Sequence, residues 1–275
     1  MAFELALTEL TRERRPLEWA RVHNNKGYAL NMWALVDSDV TRNEEAILSF
    51  QLALKEWTQE RVPLDWATLN GNLGLAQMSL GMHNRDPSQL ERAAFAYRLV
   101  LKEVTEKKVP SFWVQTQTNL GSTLYSLSKL VEDFEISTAT LEDAVSAYRL
   151  VSKRKLPEIS KHALGNFEIS FGDALMELGI RKNDTSLLEE AKLTYLSGLE
   201  RVVPKKDLYL WATLKKSVSN VLWWLAAYHD DTSLLEEAVL VCLSALQELD
   251  RERAPQVWAD LQLSLIHISE PTRPY

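Results

Sequence analysis

Side chains able to do chemistry are thinly and irregularly spread along this chain. The five histidines are His23, His83, His162, His229 and His267. None forms the helical i, i+4 pair of a zinc site, and His-Glu-x-x-His does not occur. His229-Asp230-Asp231 puts three donors in a row, but it falls where a loop between helices is expected, and a metal would need further ligands. Cys242 is the one cysteine, so no intramolecular disulfide can form. It stands in a column otherwise filled by aromatic residues, which predicts a buried, inert thiol. The pairs Glu189-Glu190 and Glu236-Glu237 fall where helices are expected to begin, and carboxylates favour that end of the helix dipole. No glycine-rich phosphate loop is present. The sequence therefore reads as a non-enzyme with no catalytic set, no metal site and no cofactor.

Bulk properties narrow the class further. The hydrophobic fraction of 46% is enough to build a core, and nine glycines and nine prolines are few for an all-β chain. A formal net charge of −7 does not suit a phosphate-gripping surface. The short basic strings Lys107-Lys108, Lys153-Arg154-Lys155 and Lys205-Lys206 read as solvated linkers. No apolar run reaches the ~18 residues of a membrane span. The segment MAFELALTEL lacks the basic start of a signal peptide. The expectation is a cytoplasmic protein without nucleic-acid or membrane partners.

The elements that must position any site come from internal repetition. TRERRPLEWARVHNNKGYAL, TQERVPLDWATLNGNLGLAQ and TEKKVPSFWVQTQTNLGSTL start at Thr11, Thr58 and Thr105, a step of 47 residues. Trp19, Trp66, Trp113, Trp211 and Trp258 form one column, with Leu164 in the fourth place. Gly27, Gly74, Gly121 and Gly172 follow, with Ser219 in the fifth place. Ala46, Ala93, Ala144, Ala191 and Ala238 form a third column. Phe50, Tyr97, Tyr148 and Tyr195 form a fourth, closed by Cys242. Four extra residues around Val131–Thr138 break the spacing once.

Each unit reads as two helices. Pro16, Pro63 and Pro110 open the first helix, where a missing N–H does no harm. Pro157 and Pro204 lie four residues earlier relative to the tryptophan column, which predicts an earlier start or a longer linker. Thr41-x-x-Glu44, Ser88-x-x-Glu91, Ser186-x-x-Glu189 and Ser233-x-x-Glu236 read as capping boxes that open the second helix. In the third unit the cap is expected at Thr138 or Thr140. Alanine and the aromatic residue, four apart, share one face of that helix. The recurring glycines, each about 1 kcal/mol worse than alanine in a helix, imply close packing against the partner helix. The tryptophan column is expected in the core. Trp223 and Trp224 point about 100° apart, so at least one should leave the seam.

Leu73-Gly74 and Leu120-Gly121, followed by Ala-x-x-x-Tyr at Ala93/Tyr97, Ala144/Tyr148 and Ala191/Tyr195, resemble the core of the tetratricopeptide repeat. ERVPLDWATLNGNLG is similar to a bacterial subclass of long repeats. The resemblance implies an all-α, TPR-like α-solenoid of about five antiparallel helix pairs plus a partial helix at each end. Its units would be about 11–57, 58–104, 105–155, 156–202 and 203–249, with a partial unit at 250–262. The departures are the 47-residue unit against the usual ~34, the longer glycine-to-alanine interval, and a tryptophan column displaced by four residues. Phe3-Glu-Leu-Ala-Leu matches Phe50-Gln-Leu-Ala-Leu, so the chain opens inside a second helix. After Trp258 the register dissolves. LSLIHISEPTR resembles translated library-adapter DNA, so 263–275 is expected to be non-native and the whole an internal fragment.

By resemblance, first helices line a concave groove that holds a peptide or partner protein. The corresponding positions here are Asn24, Asn25, Tyr28 and Asn31 in the first unit, Asn72, Leu75 and Met78 in the second, and Gln115, Thr118, Asn119 and Tyr125 in the third. Asp173 follows in the fourth unit, then Lys216, Asn220 and Trp223 in the fifth. Asn25, Asn72 and Asn119 form a ladder, unfavourable in helix interiors. Either they bind peptide amides, as in some relatives, or they bond neighbouring repeats. The function implied is a protein-interaction scaffold. The alternative is the sensing arm of a larger bacterial effector whose protease-like or nucleotide-hydrolysing domain lies elsewhere.

Overall fold

The computed structural model describes residues 2–37, 39–154, 161–204, 206–249, 251–252 and 254–269. Among these, twelve helices occur and no strand. None of these helices is long and apolar enough to cross a membrane. The chain divides into two compact units, Met1–Arg154 and Lys155–Tyr275. The first holds α1 (Ala2–Glu9), α2 (Pro16–Asp37), α3 (Val40–Ala53), α4 (Pro63–Asn84), α5 (Pro87–Glu103), α6 (Pro110–Ser128) and α7 (Phe134–Ser152). The second holds α8 (Lys161–Lys182), α9 (Thr185–Arg201), α10 (Leu208–His229), α11 (Thr232–Glu248) and α12 (Pro255–Ser269). Within each unit every helix packs on its neighbours in sequence, and successive first helices touch: α2 with α4, α4 with α6, α8 with α10, α10 with α12. Each unit is thus an all-α stack of helix pairs, as in a solenoid.

The pairs are locked by one volume rule. Gly27, Gly74 and Gly121 lie under the rings of Phe50, Tyr97 and Tyr148. A Cβ built on them would stand 2.7, 3.1 and 2.8 Å from ring carbons, so any larger residue would push the aromatic plug aside, least at Gly74. Gly172 meets Tyr195 in the same way. In α10 and α11 the seam is filled differently. Ser219 replaces glycine and Cys242 replaces the aromatic residue, with the thiol donating to Ser219 Oγ at 3.1 Å. Ser219 Oγ in turn donates to the Ala238 carbonyl at 2.9 Å. Burial raises the Cys242 pKa, only partly offset by that hydroxyl, so the thiol stays protonated. Every alanine of the third column is fully buried.

Helix starts follow the prolines at Pro16, Pro63 and Pro110. Helix α10 begins at Leu208, so Pro204 belongs to a longer linker. Pro157 lies outside the described residues, as do Lys155 and Lys205 of the basic strings. The expected capping boxes require correction. The caps of α3, α5, α9 and α11 are Asp39, Asp86, Asp184 and Asp231, two residues before the Thr/Ser of each box. Each carboxylate accepts the backbone N–H of that Thr or Ser, at 2.9 to 3.0 Å. A charged acceptor at the helix N-terminus outcompetes a hydroxyl. In the third pair the cap is Asp133 rather than Thr138 or Thr140. The extra residues lengthen the start of α7 instead of a loop. Each of α4, α8 and α10 is followed by a residue in left-handed backbone, Arg85, Asn183 and Asp230, directly before the capping aspartate. The loop His229-Asp230-Asp231 is therefore a tight turn whose second aspartate is spent on capping.

Helix α12 runs on through residue 263 to Ser269, with Ser264 and Ile268 buried, because apolar residues keep three- and four-residue steps. Residues 270–275 lie outside the described residues.

Candidate functional site

The predicted lining residues sit on first helices, and the structure sorts them into three kinds. In the first unit Asn25 and Tyr28 of α2 and Gln115 of α6 are exposed. Asn72, Leu75 and Met78 of α4 are half-buried, as are Thr118, Asn119 and Tyr125 of α6. Asn24 and Asn31 do not belong with them: they are only 7% and 1% exposed. Asn24 is drawn inward by the Asn72 amide of the next first helix.

The asparagine ladder has a structural component. Asn72 Nδ2 donates to Asn24 Oδ1 at 3.0 Å, tying α4 to α2, and Asn24 Nδ2 donates onward to Asn25 Oδ1 at 3.4 Å. Asn119 instead faces the Tyr97 phenol. Burial raises that phenol above its ordinary range, an effect the asparagine only partly offsets. The neighbour bond is thus realised at Asn72, and Asn25 is the rung left facing outward. Tyr125 carries the Lys129 ammonium over its ring at 4.0 Å, a cation–π contact.

A second division concerns the position just after the glycine. Tyr148 and Tyr195 end in hydroxyls that need partners when buried. Ser122 takes the first at 2.9 Å, and Asp173 accepts the second at 2.7 Å. Tyr28 and Leu75 occupy the same position in the first two pairs. Asp173 is therefore part of a seam as well as of a surface.

In the second unit Lys216 pairs with Asp260 at 3.1 Å, and Asn220 accepts from Ser264 at 3.3 Å, so α10 is tied to α12 by its lining residues. Trp223 and Trp224 are both half-buried and meet edge-to-face at 5.0 Å; Trp224 then leans on Tyr228 at 6.2 Å. The tryptophan column behaves as packing: Trp113 is buried, and Trp19, Trp66, Trp211 and Trp258 are half-buried.

Several residues escaped the sequence reading. Trp57 is 6% exposed and donates its indole N–H to the Leu17 carbonyl at 3.1 Å. Glu168 is buried and bonded by Arg201 and by Ser197, the latter at 2.9 Å. Its column holds His23, Asn70, Gln117 and Lys215, a polar series that was legible but unused. A cleft of about 430 Å³ lies over α4, floored by Asn70, Leu73 and Gln77 and walled by Phe95 of α5. Gln77 breaks a column otherwise made of Leu30, Leu124, Leu175 and Leu222. Among the described residues no group of three His, Cys, Asp or Glu gathers as metal ligands.

No family model matches the chain, and no curated protein does. Among solved structures it is similar to one described as a circular tandem repeat protein with novel repeat topology and enhanced subunit contact surfaces. The two share 18% identity over 97% of this chain and 68% of the other, with a TM-score of 0.40.

Proposed function

We propose that the chain is a tetratricopeptide-type interaction module, built from an elongated repeat, that holds a peptide or partner protein against the exposed face of its first helices. Helical repeat arrays commonly serve protein–protein interaction, since stacking presents a long face while the core stays between helices. One observation carries the reading. The seam columns of the first unit recur almost unchanged, whereas the surface columns of the same helices change type at each step: Tyr28, Leu75, Ser122, and Arg21, Thr68, Gln115. A face that only solvates helices would be charged. Helix α6 has no charged residue at all. Amides and hydroxyls such as Asn25, Thr118 and Asn119 suit hydrogen bonding to an extended backbone, and Tyr28, Leu75, Met78 and Tyr125 supply apolar anchors. In the second unit Lys216, Asn220 and Trp223 offer a smaller patch, with Asp173 on the neighbouring helix. The buried, protonated Cys242 suits a reducing, cytoplasmic setting.

The test is selection of binders from a displayed random-peptide library, followed by titration against variants. Tyr28→Ala and Tyr125→Ala should each weaken binding about tenfold or more, with the thermal midpoint unchanged in Tyr28→Ala and lowered in Tyr125→Ala, whose ring also packs on the core. Asn25→Ala is the cleanest amide probe, because Asn72→Ala also removes the α4–α2 bond. A library that yields no binder, or binders indifferent to both tyrosines, defeats the reading.

A further inference from the structure

We propose that the cleft over α4, between the end of α3 and α5, is a binding site for a small, neutral aromatic molecule with one N–H donor, of the size and kind of indole. Its volume of about 430 Å³ falls within the range of small-molecule sites. The walls are apolar: Leu54 at the end of α3, Leu73 of α4, and Phe95 and Leu99 of α5. The charged groups, Glu91 and Arg92, are exposed and stand at the rim.

Gln77 marks the site. Its side chain lines the cleft and is 6% exposed, and its amide oxygen has no hydrogen-bond donor. A buried acceptor without a partner is destabilising, and few persist without a use. The other pairs avoid that penalty: the equivalent residues are Leu30, Leu124, Leu175 and Leu222, the last three 4%, 0% and 0% exposed. The amide turns about its last torsion, which is broad and two-fold, and so can bring the oxygen to the cleft. Asn70, beside it on the floor, already donates its Nδ2 to the Trp66 carbonyl at 2.8 Å. A floor of neutral amides with an acceptor to spare calls for a neutral ligand with a donor. The walls call for a flat apolar body. Phe95, 63% exposed, is the one ring in a column of Leu48, Ser146, Leu193 and Leu240, and rings pair offset or edge-to-face with other rings. The first unit already holds one indole in this manner. Trp57 shares a cluster with Leu54 and Leu73, and its N–H donates to the Leu17 carbonyl at 3.1 Å.

The cleft is separate from the proposed peptide face. Asn70, Leu73 and Gln77, spaced by three and four, share one side of α4, whereas Leu75 stands two residues from both Leu73 and Gln77, about 200° around the helix. The experiment titrates indole into the whole chain by calorimetry, with 1-methylindole and N-acetyltryptophanamide as comparisons. Indole should bind saturably. 1-Methylindole, which lacks the N–H, should bind about fivefold to tenfold more weakly. Gln77→Leu restores the residue of the other pairs, so it should keep the urea midpoint of the first unit while weakening indole by a similar factor. Phe95→Ala removes an exposed ring, so it should keep the fold and also weaken binding. Tyr28→Ala should leave indole binding unchanged, and a loss there would place the ligand on the peptide face and overturn the proposal. Absence of saturable binding overturns it, as does equal binding of 1-methylindole, or binding indifferent to both Gln77→Leu and Phe95→Ala. The charged rim suits a ligand that enters whole, so N-acetyltryptophanamide should bind more weakly than indole. Tighter binding would give the cleft to a tryptophan of a partner protein and overturn the assignment to a free molecule.

Discussion

The pairs α6/α7 and α10/α11 close the same seam in different ways. In the first, α6 leaves room at Gly121 and α7 contributes the whole ring of Tyr148, whose hydroxyl pairs with Ser122. In the second, Ser219 and Cys242 share the space, and two hydrogen bonds of 3.1 and 2.9 Å replace ring contacts. The lesson is that the seam accepts two solutions, a ring laid over glycine or two small polar groups bonded to each other. The two solutions differ in how much they depend on one side chain. Tyr148→Ala should leave a ring-sized cavity and destabilise its unit by about 3–5 kcal/mol. Cys242→Ala should cost much less, since only a small group is lost. Urea unfolding followed by hydrogen exchange within each pair reads both, and equal losses would break the comparison.

A methyl group added on the other side of the seam comes next in size. The Cβ of Gly121→Ala would sit 2.8 Å from the Tyr148 ring, forcing a shift that should cost about 1–3 kcal/mol. Transplanting the other solution sharpens the point. Gly121→Ser together with Tyr148→Cys should be less destabilising than the two single changes added, because the two positions are in contact and the serine clashes only with the ring. Additivity would show that the seam does not work as described.

What could be read before the structure follows from the same constraint. Gly27, Gly74 and Gly121 with their aromatic partners were legible because a volume constraint repeats wherever the seam repeats. So were the helix starts at Pro16, Pro63 and Pro110, where stereochemistry acts locally. The caps were misread because Thr41-x-x-Glu44 and its relatives satisfy a spacing rule, while the aspartate two residues earlier makes the bond. Asn24 and Asn31 were placed on the surface by their position in the repeat alone, and the bond from Asn72 that buries Asn24 depends on a neighbour the column does not show. Gln77 carried a signal that went unused: it is a glutamine in a column of leucines.

Caps allow the comparison to be tested at lower energy. If Asp86 closes the start of α5, Asp86→Ala should destabilise that pair by about 1 kcal/mol. Ser88→Ala should change it less, since Ser88 offers its backbone N–H, at 2.9 Å, and keeps it in the variant. Comparable losses, followed by urea midpoints and by exchange of the first α5 amides, would restore the capping box. Repeating the experiment at Asp231 and Ser233 sets a difference. There the serine hydroxyl also bonds the carboxylate at 2.7 Å, so Ser233→Ala should cost more than Ser88→Ala.

The smallest signal separates α2/α3 from α6/α7 through one column. His23 and Gln117 occupy equivalent places. His23 is 7% exposed and meets Trp19 edge-on at 4.4 Å. Burial first, and the nearby Lys26 second, hold its pKa below the ordinary 6.5. The folded chain thus binds fewer protons than the unfolded one between the two pKa values. Stability from this group is present above about 6.5 and is lost as pH falls through the depressed value. One histidine limits the slope to about 1.4 kcal/mol per pH unit at most, and partial access to water keeps it below that. His23→Gln installs the residue of α6 at the α2 position. Between pH values of about 7.5 and 5 the urea midpoint of the first unit should therefore fall further in the parent than in the variant. Equal falls would mean that His23 titrates as freely as an exposed imidazole, and that the column treats histidine and glutamine alike.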